Sequence, residues 1–257
     1  MKKIHSIKFS NNNVTHLINF GFAETEIELE SIYKLRYKIY VNKKNYIPKG
    51  YYKDDKDVDF YDKKNSSVNI IAEHNGEIVG SLRIIKSRPL PIRDHYFNFK
   101  TPKSFDGIDE SRIVEIGRLI SIGKINNSCY IPRHLTMLGM FYVISYYFKE
   151  NNIIGLYGAL KLYIFKKIKK INLPVKLIKN YQSIFEIKIS EDPLKNFFNN
   201  PNDPVVPVYL NAEDGYRYLD SLFNSSLVFK KEDTGIRIYR NNFRFIMFVL
   251  RSKILKY

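Results

Sequence analysis

The stretch VEIGRLIS, residues 114–121, is apolar enough for a buried strand, yet it carries Glu115, Gly117 and Arg118. An unpaired charge is costly to bury, so ionisable groups at a strand centre are paired, placed where the sheet opens, or used for chemistry. A buried carboxylate can serve as a general base, and a guanidinium can hold an anion or order another carboxylate. Glu115 and Arg118 are three apart, so regular alternation puts them on opposite faces. A bulge at Gly117 would bring them to one side, because glycine in a strand often marks one. The bland alternative is a structural ion pair at a sheet end.

Other charged residues compete for a role. The stretch DDKDVDFYD, 54–62, reads by itself as a solvated loop, and Asp54, Asp55 and Asp57 are expected to be only that. It lacks the oxygen spacing and terminal Glu of an EF-hand calcium loop. Arg133 and His134 open a buried helix, whose backbone N–H groups favour an anion such as phosphate. The five histidines form no His-x-x-x-His pair and no Cys/His cluster, so metal catalysis is not expected. Cys129 has no evident base beside it.

The elements around these residues follow from pattern. Residues 24–45 place Ile27, Ile32, Leu35 and Ile39 near helical spacing, with acids first and bases last, as the helix dipole favours. The stretch YIPKGYYKDDKDVDFYDKKNSS has no apolar period and reads as a long loop. VNIIAEHNGEIVGSLRII gives two strands about Asn75-Gly76, a type I′ hairpin signal. After the VEIGRLIS strand comes a buried helix with Pro132 in its first turn, then strand IIGLYGAL, helix KLYIFKKIKKI and strand PVKLIKN. Beyond residue 182 the chain reads as Pro- and Asn-rich loops, then a basic, aromatic tail over 218–257 that caps the core or lies on a membrane surface.

The 257 residues, 44% of them hydrophobic, suffice for a sizeable core. The formal charge of +16 predicts attraction to something polyanionic without choosing among nucleic acid, an anionic membrane and an acidic protein. One cysteine excludes an intrachain disulfide framework and a cysteine zinc site, and a cytoplasmic setting is expected. No secretory leader is evident at MKKIHSIKFSNNNVTHL, and the apolar runs fall short of the roughly 20 residues that span a bilayer.

The order of elements and four motifs resemble the GNAT acyltransferase superfamily, and within it the autoinducer (acyl-homoserine lactone) synthases and the related N-acyl amino acid synthases. LRYKIY, 35–40, is similar to that group's Leu-Arg helix and matches Arg36 and Tyr40. DFYD, 59–62, is similar to its Asp-x-x-Asp pair and matches Asp59 and Asp62. VGSLRII, 79–85, matches Arg83, and EIGRLIS, 115–121, matches Glu115 and Arg118. SRPLPIRDHY resembles a Leu-Pro-Ile segment of the N-acyl amino acid synthase branch. The superfamily's pyrophosphate loop is absent, NNSCYIPRHL standing in its place, which points to the acyl-carrier-protein users. There is no tryptophan, and Tyr46 falls roughly where the lactone synthases carry one.

The resemblance implies an α/β, GNAT-like mixed sheet, mainly antiparallel and flanked by helices. It implies an acyltransferase domain over 1–217, with a basic C-terminal helical extension, 218–257, packed on it. It further implies N-acylation of an amino acid or its derivative by a long-chain acyl thioester, with no permanently bound cofactor. The donor is acyl carrier protein, with acyl-CoA as the alternative. Glu115 and Arg118 are the expected catalytic residues. Arg36, Tyr40, Tyr46, Asp59, Asp62 and Arg83 are expected to hold the amino-acid-like acceptor, the two arginines through its carboxylate or by ordering the two aspartates. Gly117, Leu119 and Arg133 are expected on the donor side. Nucleic acid is not an expected partner, and the expected location is the cytoplasm, with peripheral contact to the inner membrane face as an option. Two alternatives stand: a lactone synthase using S-adenosylmethionine, and a non-catalytic basic protein binding nucleic acid or membrane on a degenerate GNAT core.

Overall fold

The computed structural model describes residues 1–11, 14–63, 66–123, 131, 133–184, 194–198, 200–223, 229–232 and 235–238. It opens with a hairpin of β1 (Lys2–Asn11) and β2 (Val14–Phe22) that the sequence reading left unassigned. Alternation explains it: Ile7 and Phe9 on one strand, Ile18 and Phe20 on the other, are all buried. Helix α1 (Glu26–Tyr37) starts in a capping box, the Thr25 side chain accepting from the Glu28 N–H and the Glu28 carboxylate accepting from the Thr25 N–H. It continues into a π-helical stretch, Lys38–Lys43, and the long loop beyond carries one helical turn, Phe60–Lys63.

The expected hairpin is present as β3 (Ser67–His74) and β4 (Glu77–Ile85). Asn75 and Gly76 both take positive φ, 51° and 80°, as a type I′ turn requires. A short β5 (Phe97–Phe99) precedes β6 (Ile113–Ser121), the strand of Glu115 and Arg118. Then come α2 (Arg133–Glu150), β7 (Gly155–Lys161) and α3 (Leu162–Lys170), as read from the sequence. Of PVKLIKN only β8 (Lys176–Leu177) is strand, followed by β9 (Tyr181–Ser183).

Residues 205–211 correct the reading of a loop: VVPVYLN is β10 (Val205–Asn211), followed by α4 (Ala212–Phe223). The prolines there suggested a break, but Val205, Val206, Val208 and Leu210 are buried, and that burial carries the strand. Of the C-terminal extension, the described parts are the end of α4 and two strands, β11 (Phe229–Glu232) and β12 (Gly235–Ile238); the expected helical character is not found in those strands, and 239–257 lie outside the described residues.

Among the described residues, ten strands form one sheet in the order β11-β12-β1-β2-β3-β4-β6-β7-β10-β8, mainly antiparallel, with β1/β12 and β6/β7 parallel. One apolar cluster joins α2 and α4 to the sheet, and a second, smaller one gathers Ile92, Phe97, Phe99, Phe105, Ile113 and Tyr157. The buried helix is α2, whose Leu135, Leu138, Met140, Val143 and Ile144 are at most 2% exposed. Among the described residues no helix is long and apolar enough to cross a membrane.

Candidate active site

Strand β6 is irregular where the sequence suggested. Its pairing with β4 slips by one residue, with Ser81 opposite Ile120 but Arg83 opposite Gly117. The left-handed backbone falls on Arg118, φ 54°, and not on Gly117, which corrects the expected seat of the bulge. Glu115 and Gly117 share a face with Ile85 and Arg83, and the slip swings Arg118 toward that face. On its other edge β6 pairs with β7 only as far as Ile116/Gly158, although the strands run on to Ser121 and Lys161. The sheet therefore opens beyond Glu115, and Gly117, Arg118 and Leu119 border a cavity of about 180 Å³.

Three arginines and three aspartates lock the long loop over this opening. Arg36, 0% exposed, donates to both oxygens of Asp62 at 3.1 and 3.0 Å and to Asn69 Oδ1. Arg83 donates to both oxygens of Asp59 at 2.7 Å and to Asp62 at 2.8 Å. Arg118 meets Asp57 at 2.9 Å through Nε and at 3.1 Å through a terminal nitrogen, and Asp59 at 3.5 Å. Tyr52 adds a hydroxyl donor to Asp57 at 2.7 Å. Burial alone would raise the Asp59 pKa, but Arg83 and Arg118 outweigh it and hold the carboxyl well below its ordinary range. The cluster is thus balanced in charge, and each buried ion finds hydrogen-bonding partners.

Glu115 is different. It is buried and accepts the Ile92 N–H at 2.7 Å. Desolvation pushes its pKa up to about 7, against the opposing pull of that hydrogen bond and of Arg83 and Arg118. A carboxyl so placed exchanges its proton near neutrality, as a general base must.

The cavity has two characters. Leu82, Ile116, Leu156, Ile164, Ile168 and Val208 make an apolar pouch toward α2 and α3. Tyr40, Tyr46, Tyr61, Tyr96, Phe197 and Phe198 wall the side of Glu115. The Tyr40 hydroxyl donates to the Leu119 carbonyl at 3.1 Å, tying the π-helical stretch to the splayed strand. A second, polar cleft of about 1100 Å³ shares Asp59, Tyr61, Tyr96, Arg118 and Leu194 with this cavity. Gly117 faces open space: a Cβ there would meet nothing within 4 Å. Gly117→Leu is therefore expected to fold normally and to weaken use of a ligand in the cavity on the order of 10²-fold, measured as KM beside a thermal unfolding curve.

The structure thus brings Tyr40, Tyr46, Asp59, Arg83, Glu115, Gly117, Arg118 and Leu119 to one cavity. Arg36 and Asp62 lie behind it as a buried pair; for Arg36 the loop-ordering role is the one its geometry fits, and contact with an acceptor is not. Asp57, expected to be solvated, is fully buried on Arg118. Five aspartates in the run 54–62 hid it; only the guanidinium of a distant strand selects it. The side chain of Arg133, with Cys129 and Pro132, lies outside the described residues. Burial lowers the His134 pKa to about 4, so it offers no charge to a phosphate near neutrality.

The family model of the N-acyl amino acid synthase FeeM matches residues 31–153, the span from α1 through α2 that holds every motif residue of this site. The chain is a GNAT-fold acyltransferase resembling that group. Solved structures agree on the fold of this acyltransferase. The AHL synthase LasI superposes with a TM-score of 0.53 at 16% identity, covering 77% of this chain and 90% of its own. BjaI, a CoA-dependent acyl-homoserine lactone synthase solved with SAM and isopentyl-CoA, gives 0.54 at 14% identity, covering 88% and 92%. TofI, solved with an inhibitor and MTA, gives 0.55 at 14% identity, covering 79% and 96%. No curated protein matches the acyltransferase by sequence.

Proposed function

We propose that this acyltransferase N-acylates an amino acid or amino-acid derivative, taking the acyl group from a thioester on acyl carrier protein. One observation carries the reading: a carboxyl titrating near 7 stands where β6 and β7 part, with an apolar pouch on one side and a polar cleft on the other. An α-amino group is largely protonated near neutral pH, and only its neutral form attacks a thioester. Glu115, directly or through one water, takes that proton. A main-chain N–H of the splayed 117–119 segment polarises the thioester carbonyl. The amine then displaces the thiolate, and no acyl-enzyme is needed. Arg118 and Arg83 hold Asp59 at the acceptor side, and Tyr40 and Tyr46 wall it.

The acyl chain enters the apolar pouch. The whole cavity, at about 180 Å³, is near the size of an engineered cavity that takes benzene, so a long chain needs α3 to give way at Ile164 and Ile168. The outer side of α3 exposes Lys166, Lys167, Lys169 and Lys170, with no acidic residue in the helix, which suits an acidic carrier protein. The breadth of the polar cleft favours one second reading, S-adenosylmethionine as acceptor with lactone formation, since a nucleoside would help to fill it.

One assay decides among these. Transfer is measured from carrier-protein and CoA thioesters of equal chain length, across an ionic-strength series, to amino acids and to S-adenosylmethionine. Faster transfer from the carrier, weakened by salt, with N-acyl amino acids as product, is expected. A preference for CoA overturns the donor, and a lactone overturns the acceptor.

A further inference from the structure

At the outer end of β7, Lys161 is fully buried, yet among the described residues no carboxylate lies within ion-pair reach of it. Its ammonium donates to the Phe197 carbonyl and, at 2.7 Å, to the Asp203 carbonyl. It also sits 4.8 Å from the centre of the Phe197 ring and 5.7 Å from that of Tyr46. The first of these carbonyls belongs to the segment that borders the cavity. Leu194, Phe197 and Phe198 line it, Phe197 meets Tyr46 edge-on at 5.0 Å, and Phe198 stacks on Tyr96 at 4.4 Å. Lys161 shares a strand face with Tyr157, which stands opposite Glu115 in the parallel pairing. The roof it holds therefore lies over the side of the sheet where the base stands.

We propose that Lys161 is a positioning residue that latches the Phe197–Phe198 roof over the reaction centre and so decides whether an acyl thioester is taken by an amine or by water. The reading rests on the acyl transfer proposed above. Neutral carbonyl acceptors suit the task, because a carboxylate here would set a further negative charge in the cavity of Glu115 and compete with the base for the amine. Burial lowers the lysine pKa, with Asp203 opposing, and the two aromatic faces favour the charged form. When the latch is lost, water attacks the thioester carbonyl in place of the amine. The acyl carbon–sulfur bond breaks, the thiolate takes up a proton, and a free acid replaces the amide.

The test uses the full chain with octanoyl-CoA and octanoyl carrier protein, a mixture of the twenty amino acids as acceptors, and separate measurement of octanoic acid and octanoyl amides. In Lys161→Met the ratio of acid to amide is expected to rise about tenfold, a size in keeping with a modest loss of positioning. Lys161→Arg, which can donate to both carbonyls, should restore it to within about twofold. Phe197→Ala, which removes the roof ring and leaves the strand intact, should raise the ratio as Lys161→Met does. Hydrogen exchange across 194–203 should quicken in Lys161→Met alone of the two lysine variants. An unchanged ratio with amide still formed, or unchanged exchange, overturns the latch. Absence of amide from either donor in the parent instead overturns the acyl-transfer reading, and exchange still decides whether Lys161 holds the roof.

Discussion

Glu115→Gln is expected to fold and to lose turnover by a factor on the order of 10² to 10⁴, the range for removing a general base. In the parent, kcat/KM should climb with pH through about 7, where desolvation has placed the Glu115 pKa, because the base works only when ionised. The variant should lose that inflection. Stability runs the other way. A carboxyl whose folded pKa is raised from 4.5 to about 7 favours the folded state below 4.5, and that contribution is lost as pH rises through about 7. At pH 8 the neutral amide should therefore be more stable than the parent, by about 1–3 kcal/mol. Pre-steady-state assays and urea titrations at pH 6 and pH 8 check both halves. A folded variant as active as the parent removes Glu115 from the mechanism.

Asp62→Ala is expected to produce the largest loss of stability. Asp62 has a side-chain exposure of 0% and meets Arg36 at 3.0 Å and Arg83 at 2.8 Å. Removing it strands buried guanidinium charge, at a cost of about 3–5 kcal/mol. Asp54, exposed in the same loop, should tolerate alanine within about 0.5 kcal/mol. Urea midpoints for the two variants make the comparison. Because Asp62 also accepts from the Asp59 N–H at 3.3 Å, the loop should loosen and acyl transfer should fall along with stability. Equal midpoints for Asp62→Ala and Asp54→Ala would mean that the cluster contributes no more than a surface pair.

The reach of the sequence is clearest at individual residues. Glu115 and Arg118 were legible because each charge stands in an apolar strand, where burial demands a partner or a purpose, whereas Arg83 was picked out by its resemblance to a family motif. The hairpin at Asn75-Gly76 was legible because its turn chemistry is local. Strand β10 was not, since its two neighbouring prolines read as a loop and only the edges of β7 and β8 make it a strand. The hairpin β1–β2 was passed over because its lysines and asparagines mask the alternation of Ile7, Phe9, Ile18 and Phe20.

The sequence by itself determined the order of elements from α1 to α3 and the charged residues that an apolar strand cannot hold without reason, since periodicity and the cost of burying charge are properties of short stretches. Tertiary structure alone decided how those charges are spent. It took Arg36 out of the cavity and onto Asp62, drew Asp57 from a polar run onto Arg118, moved the strained residue from Gly117 to Arg118, and set Lys161 against two carbonyls. Each outcome depends on which of several equivalent groups, far apart in the chain, comes within hydrogen-bonding distance. That selection is made by sheet register and loop packing, which a string of residue types does not contain.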